Sequence, residues 1–230
     1  MARYEAHLAA RADSVSLVSA ADRRAPGLGG ATVVPNGTDT ASIPMRVRGE
    51  KSPAILTFFG NLGYFHNSEP ARFIAEEVLP LVQAEVPNAT LRLAGARPSA
   101  YVRRLDGLEG VEIHADVPDM AAELARSTVS LLPMFTGSGL KNKVLEAFAS
   151  GLPVVANKMG MDGVEGARAG IHFLAAESAH DFAAATVRLL DDTALREETT
   201  TAARRLVEDG FSWERQVEHL LDLYGKDASE

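Results

Sequence analysis

Short apolar runs alternate with amphipathic stretches from Pro53 onward, and this alternation dominates the chain. Six runs have the length of buried strands: 54–59, 90–94, 111–114, 128–132, 153–156 and 171–174. Between them, apolar residues recur every three or four positions, which predicts helices. Strands that alternate with helices predict an α/β fold, with a Rossmann-like parallel sheet and helices on both faces.

Residues that can begin a helix precede several of the periodic stretches. Asn67 or Ser68 is placed to cap the first helix after Gly60. Ser178 and Asp181 form a capping-box pattern before a helix that runs to Leu190. Two further helices are predicted at the end of the chain, over 193–209 and 212–224.

The first 52 residues do not follow this alternation. Residues 2–12 are rich in alanine and predict a helix, and 14–19 and 31–34 predict two short strands. Residues 38–52 are polar and have no clear period, which predicts a linker.

Ligands bind outside the carboxyl ends of parallel strands, and three predicted loops lie there: 60–67, 116–118 and 137–143. In the last loop, Gly137 and Gly139 permit a close backbone approach, and a helix starts near Asn142. The free N–H groups at a helix start attract anions, and Lys141 and Lys143 add positive charge. This loop therefore predicts a site for a phosphorylated ligand.

Glu146 is the candidate for recognising hydroxyl groups of the same ligand. It falls outside the apolar stripe that Val144, Leu145 and Phe148 form in the predicted helix. It also lies near the start of that helix, where its carboxylate can face a ligand. The stretch from Gly137 to Glu146 thus suits a phosphorylated ligand with hydroxyls beyond the phosphate.

Composition narrows the class of protein. The chain has 230 residues and a net charge of −8, which argues against a nucleic-acid partner because that role needs a basic face. It has no cysteine, so disulfides and thiolate chemistry are excluded. No apolar run approaches the roughly 20 residues of a membrane span. These features fit a cytoplasmic protein and are compatible with peripheral contact at the inner face of a membrane.

Each candidate residue also has a plainer interpretation. The two glycines of the 137–143 loop can serve a tight turn, and Lys141, Lys143 and Glu146 can be solvated helix residues. Tyr64 can cover a ligand or only its own loop. The pattern Gly-x-Gly-x-x-Asn lacks the third glycine of a dinucleotide fingerprint, which disfavours a dehydrogenase.

Several blocks of the chain resemble one family when they are taken in order. They are Val-Pro-Asn-Gly-Thr-Asp (34–39), Gly-Asn-Leu-Gly-Tyr-Phe-His-Asn (60–67), Leu-Glu-Ala-Phe-Ala-Ser-Gly-Leu-Pro-Val-Val (145–155) and Phe-Ser-Trp-Glu (211–214). The chain resembles the retaining, nucleotide-sugar-dependent glycosyltransferases of family 4, which have the GT-B fold of two facing Rossmann-like domains. Gly-Ser-Gly-Leu-Lys-Asn-Lys (137–143) is most similar to a branch that builds bacterial surface or exported polysaccharide.

The resemblance implies a division of the chain. Residues 1–34 correspond to a remnant of the N-terminal acceptor domain, 35–52 to a linker, 53–191 to the donor-binding domain and 192–230 to C-terminal helices. The chain would then be the donor half of an enzyme, truncated or split from a separate N-terminal-domain chain. We expect it to be weakly active or inactive by itself.

The resemblance also implies the reaction and the roles of residues. A sugar passes from a nucleoside diphosphate sugar to a hydroxyl of a carbohydrate or lipid-linked acceptor, with retention and without a metal or other cofactor. Lys141 and Lys143 are the expected catalytic residues, which neutralise the leaving charge. The expected donor-binding residues are Gly60, Asn61, Gly63, Asp116, Val117, Gly137, Ser138, Gly139, Leu140 and Glu146. Among these, Glu146 would bind the ribose, and the loop at Asp116 and Val117 would position the base.

The chain departs from the family pattern at two positions. Ser138 stands where the first carboxylate of a Glu-x7-Glu pair is common, and Asn61 stands where the first loop often has a basic residue. Lys141 and Lys143 can compensate for the second change. The missing first domain and Ser138 favour an alternative, a non-catalytic nucleotide-sugar-binding or assembly module that completes a partner protein. A sugar-nucleotide epimerase is a third possibility, but its catalytic residues have no clear counterpart.

Overall fold

The structure, a computed structural model, describes residues 2–45, 53–137 and 139–227, and in these ranges eight strands form two parallel sheets. The small sheet pairs β1 (Ser16–Leu17) with β2 (Thr32–Val33). The large sheet contains β3 (Ile55–Phe59), β4 (Thr90–Gly95), β5 (Val111–Ala115), β6 (Val129–Leu132), β7 (Val154–Ala156) and β8 (Leu174–Ala175). Its spatial order is β5-β4-β3-β6-β7-β8, and every neighbouring pair is parallel.

The described residues also form α-helices, several of which pack against this sheet and against one another. They are α1 (Ala2–Ala9), α2 (Phe65–Phe73), α3 (Leu79–Glu85), α4 (Ala100–Arg103), α5 (Met120–Arg126), α6 (Asn142–Ala149), α7 (Ala179–Asp191), α8 (Thr193–Gly210) and α9 (Trp213–Asp227). A wider π-helical turn, Ile74–Val78, joins α2 and α3 into one continuous run. The predicted α/β fold with a parallel sheet is therefore confirmed.

The core explains why the strands are recognisable in the sequence. In β3, Leu56 and Phe58 are fully buried, and the intervening Thr57 is buried as well. A parallel strand covered by helices on both faces reads as a continuous apolar run, because neither side meets water. Thr57 is accommodated because its hydroxyl donates a hydrogen bond to the carbonyl of Arg92 in β4.

Some predicted boundaries agree with the structure and others do not. The capping box of Ser178 and Asp181 is present at the start of α7. The predicted cap at Asn67 or Ser68 is wrong, because α2 begins at Phe65 and Asn67 lies inside its first turn. The side-chain amide of Asn67 donates to the carbonyl of Asn61 instead of capping the helix. The strand predicted over 171–174 is shifted, since β8 begins only at Leu174.

The segment predicted as a linker is anchored in its described part. The guanidinium of Arg204 in α8 donates to the carbonyls of Thr40, Ile43 and Ala149, the last of which ends α6. The backbone N–H of Thr38 donates to the carbonyl of Phe211 at 2.7 Å. One arginine therefore ties residues 40–43 to two helices. The rest of the predicted linker, residues 46–52, lies outside the described residues, and the proposed domain boundaries stay a prediction.

In the described part of the chain, no helix is long and apolar enough to cross a membrane.

We expect Arg204→Met to lower the free energy of unfolding by about 2–4 kcal/mol, because three carbonyls lose a charged donor in a largely buried place. Arg205→Met is the matched control, since Arg205 is exposed on the same helix. Urea denaturation of both variants measures the effect. Equal stabilities for the two variants would show that the Arg204 contacts contribute nothing.

Candidate functional site

The two glycine loops meet because β3 and β6 are neighbours in the sheet. Residues 60–64 follow β3, and residues 133–141 follow β6. Two side-chain contacts join the segments across this junction. His66 Nδ1 lies 2.5 Å from Thr136 Oγ1, and the ammonium of Lys143 donates to Asn67 Oδ1 at 2.7 Å. The structure therefore brings together the first and third of the predicted loops.

Lys143 is at the centre of this junction. Its ammonium lies 4.2 Å from the centre of the Phe58 ring, in addition to its contact with Asn67. Burial lowers the pKa of Lys143 to about 7, and the nearby charge of Glu146 only partly opposes this effect. A buried cation whose pKa has fallen this far gains protonation when an anion binds beside it.

Glu146 lies one helical turn after Lys143 on α6. The predicted apolar stripe is confirmed, since Val144, Leu145 and Phe148 are all buried, whereas Glu146 is half-buried. Burial raises the pKa of Glu146, and the positive charge of Lys143 opposes the shift. The carboxylate is thus held near a cation at the edge of the site.

Lys141 has a different orientation from Lys143. Its ammonium folds back on the glycine loop and donates to the carbonyl of Gly139 at 2.6 Å. Burial lowers the pKa of Lys141, and the charges of Asp162 and Asp22 oppose this shift. The two lysines predicted as catalytic therefore do not act at one point. Lys143 faces the loop after β3, and Lys141 supports the loop after β6.

The glycine loop itself is tightly placed on one side and open on the other. Gly139 has a φ of 73°, and a Cβ there would lie 3.4 Å from a carboxylate oxygen of Asp22. The backbone of Leu140 lies close against Gly163, since a Cβ on Gly163 would come within 2.6 Å of the Leu140 nitrogen. At Gly137, an added Cβ would meet no atom within 4 Å. Ser138, the position of the departure from the family pattern, lies outside the described residues.

The loop after β3 is equally compact. The Asn61 side chain accepts a hydrogen bond from the backbone N–H of Gly63 at 3.1 Å. Only glycine fits at position 63, because a Cβ would lie 2.5 Å from the carbonyl oxygen of Arg97. A Cβ at Gly60 would lie 3.5 Å from the ammonium of Lys143, so Gly60 faces the junction.

Asp116 and Val117 follow β5, which is separated from β3 by β4. The Asp116 carboxylate accepts a hydrogen bond from the backbone N–H of Arg97 at 2.9 Å, and Val117 is partly buried against the core. Asp116 thus supports the loop after β4, and among the contacts of the described residues it has none with Lys143.

Two residues of this site are absent from the sequence-based candidates for ligand binding. Asn67 is predicted there only as a helix cap, and Arg97 is not predicted to have a role. Arg97 is exposed, has a φ of 53°, and contacts the loops after both β3 and β5. The sequence does contain a signal for it, because Gly95 closes an apolar run in the same way as Gly60. The rule that ligands bind at carboxyl ends of strands applies to β4 as well.

Among the described residues, no group of three or more histidine, aspartate or glutamate side chains has the arrangement of a metal site. Independence from metal stays a prediction.

The fold and the site together define a Rossmann-like domain with Lys143 at the junction of two strand-end loops. Residues 53–192 match the family described as glycosyl transferases group 1. This match covers more than half of the chain, so the chain belongs to that family of glycosyltransferases.

Relatives and solved structures agree with this assignment. The chain is 30% identical over 210 residues to the glycogen synthase of Mycobacterium tuberculosis, a match that covers 86% of this chain and 49% of that protein. It thus spans about half the length of the curated relatives that it matches.

HepE from Anabaena, solved in complex with UDP and glucose, superposes with a TM-score of 0.79 at 18% identity, covering 97% of this chain and 66% of that chain. Sucrose-phosphate synthase from Thermosynechococcus elongatus gives a TM-score of 0.76 at 22% identity, covering 98% and 61% of the two chains. The fold is that of one half of a GT-B glycosyltransferase.

We expect Lys143 to make the free energy of unfolding of the ligand-free chain rise as the pH increases from about 7 to 10.5. This contribution should be absent from the Lys143→Met variant. In this window the folded state holds fewer protons than the unfolded state, because burial lowers the Lys143 pKa below its ordinary value. Below about pH 7 the lysine is charged in both states and the full cost of burying that charge is present, so the variant is the more stable protein there.

Urea denaturation at a series of pH values measures the difference between wild type and variant. Lys158→Met is the control, because Lys158 is exposed. A wild-type profile that parallels the profile of Lys143→Met across this window would contradict a depressed pKa.

Proposed function

We propose that the chain is the donor-binding half of a retaining, family 4 glycosyltransferase, which transfers a sugar from a nucleoside diphosphate sugar to an acceptor hydroxyl. The observation that carries the proposal is the half-buried Lys143 at the strand-end junction, with Glu146 one turn later. The family and the names of the relatives, a glycogen synthase and a sucrose-phosphate synthase, support sugar transfer.

The diphosphate would lie between the two glycine loops. Backbone N–H groups at Gly137, Gly139 and Leu140 and the start of α6 suit its oxygens. Lys143 would neutralise the charge that develops on the leaving diphosphate, which is where a preorganised cation gives the greatest acceleration. Lys141 would act indirectly, since its ammonium donates to the Gly139 carbonyl and so supports the glycine loop.

The nucleoside would extend from this point along the strand ends. Glu146 would accept hydrogen bonds from the two ribose hydroxyls, a use for a half-buried carboxylate outside the apolar stripe. Gly60, Asn61 and Gly63 would form the floor beside the phosphates. The loop that contains Asp116 and Val117 would receive the base, and the Asp116 carboxylate would keep the loop in shape through Arg97.

The acceptor side is proposed on the length of the relatives. A second domain facing this cleft, with residues 1–34 as its last elements, would bind a carbohydrate or lipid-linked acceptor. A role in surface or exported polysaccharide follows from the resemblance of 137–143, and the cytoplasm or the inner face of the membrane is the corresponding location. In this arrangement the separate chain is weakly active or inactive.

The alternative, a non-catalytic nucleotide-sugar-binding or assembly module, is favoured by two features. Ser138 supplies no carboxylate to the donor sugar, and the side chain of Asn61 is engaged by Gly63. The two functions differ in turnover. Release of glucose or UDP from UDP-glucose by the purified chain, abolished in Lys143→Met, would exclude the alternative.

We expect the chain to bind UDP, GDP or their sugars, and Glu146→Ala to weaken that binding by about 10–150-fold. The reason is the loss of hydrogen bonds to a charged acceptor, worth about 1.5–3 kcal/mol. Isothermal titration calorimetry measures both affinities, and Glu109→Ala is the control because Glu109 is exposed in a distant loop. A folded wild-type chain that binds none of these nucleotides would exclude the donor site.

A further inference from the structure

We propose that Asn67 is a positioning residue, which aims Lys143 at an anionic ligand without forming an ion pair with it. The inference rests on the proposed function only for the identity of that ligand, a nucleoside diphosphate sugar. No role of this kind follows from the family match or from the names of the relatives.

Asn67 is the buried polar residue that links the two sides of the junction. Only 6% of it is exposed. Its Nδ2 donates to the carbonyl of Asn61 at 2.8 Å, and its Oδ1 accepts from the ammonium of Lys143 at 2.7 Å. Because the two ends of the amide have opposite partners, the orientation of the side chain is determined by both contacts.

The neutrality of this acceptor is the main point. An aspartate at position 67 would form a buried ion pair with Lys143 and cancel its charge. Asparagine gives the same acceptor geometry without a charge, and none of the ion pairs among the described residues includes Lys143. The attraction that remains is thus available to an incoming anion.

The groups around Lys143 support this interpretation. β3 presents the Phe58 ring, and α2 presents Asn67, both of which are uncharged. The charged groups that act on it are on its own segment, Glu146 with one sign and Lys141 with the other. The next titratable side chain on α2, His66, is directed to Thr136.

The link to Asn61 adds a second consequence. It connects the position of Lys143 to the loop after β3, where a Cβ on Gly60 would lie 3.5 Å from the lysine ammonium. A ligand that displaces this loop would also displace Lys143, through the side chain of Asn67. Asn67 therefore couples the two loops that contact the diphosphate.

A ligand-independent measurement tests the positioning itself. In the full chain with 13C-labelled lysine, the ε-carbon signal of Lys143, assigned with Lys143→Met, reports its titration by NMR. We expect Asn67→Asp to move the midpoint upward by about 1–3 pH units, because an opposite charge now contacts the ammonium. Asn88→Asp, at an exposed asparagine, should leave the midpoint unchanged. An unchanged midpoint in Asn67→Asp would overturn the proposal.

Binding of UDP-glucose tests the consequence, and this probe has no phosphate group that titrates near neutral pH. We expect the wild-type affinity to fall as the pH rises from 6 to 9, and Asn67→Asp to weaken binding by at least tenfold at pH 6. Asn67→Ala should also weaken binding, but not in a Lys143→Met background, because Asn67 acts through the lysine.

The outcomes separate this inference from the proposed function. Failure of the wild-type chain to bind UDP-glucose or any other nucleotide contradicts the proposed function, and the lysine titration still decides the role of Asn67. Equal affinities of wild type and Asn67→Asp, with circular dichroism showing both folded, overturn the inference while the donor site stands. An effect of Asn67→Ala that persists in Lys143→Met also overturns it, since it shows a merely structural role.

Discussion

The site depends on one constraint in the sheet, which is that β3 and β6 are neighbours although β4 and β5 lie between them in the chain. From β3 the chain moves outward to one edge and then returns to the other side of β3. At such a reversal the loops after the two strands diverge and leave a crevice. The loop after β3 and the loop after β6 owe their proximity to this order and not to their spacing in the sequence.

The second constraint is electrostatic. A lysine enclosed by an aromatic ring and a neutral amide has lost hydration without gaining a counter-ion, which lowers its pKa. Such an arrangement costs stability, and proteins retain it where the charge has a use. Glu146 shows the corresponding effect for an acid, because burial raises the pKa of its carboxyl group. Two groups of opposite charge, each short of solvent, are suited to a ligand that has both phosphates and hydroxyls.

The sheet could be predicted because both of its faces are covered, so the strands read as apolar runs. The helix after β3 could not be placed to the residue, since an asparagine in a first turn and an asparagine cap look alike in sequence. Its contact with Lys143 spans 76 positions, which no local pattern records. Lys141 and Lys143 were equivalent in the sequence, but two residues apart at a helix start they face different partners. Residues 40–43 show no helix or strand period, and their carbonyl contacts with Arg204 depend on backbone atoms that leave no pattern in the sequence.

The surroundings of the glycine loop differ between its two ends. On the far side, Asp22 lies against Gly139, and Gly163 closes on Leu140. Residues 19–24 therefore already form part of a wall over the loop after β6. Asn36, which donates to the side chain of Asn142 at 2.9 Å, extends that wall to the start of α6. At Gly137, by contrast, an added Cβ would meet no atom of the described residues within 4 Å, so this end of the loop is open. We therefore expect a ligand to reach the loop from the side of Gly137.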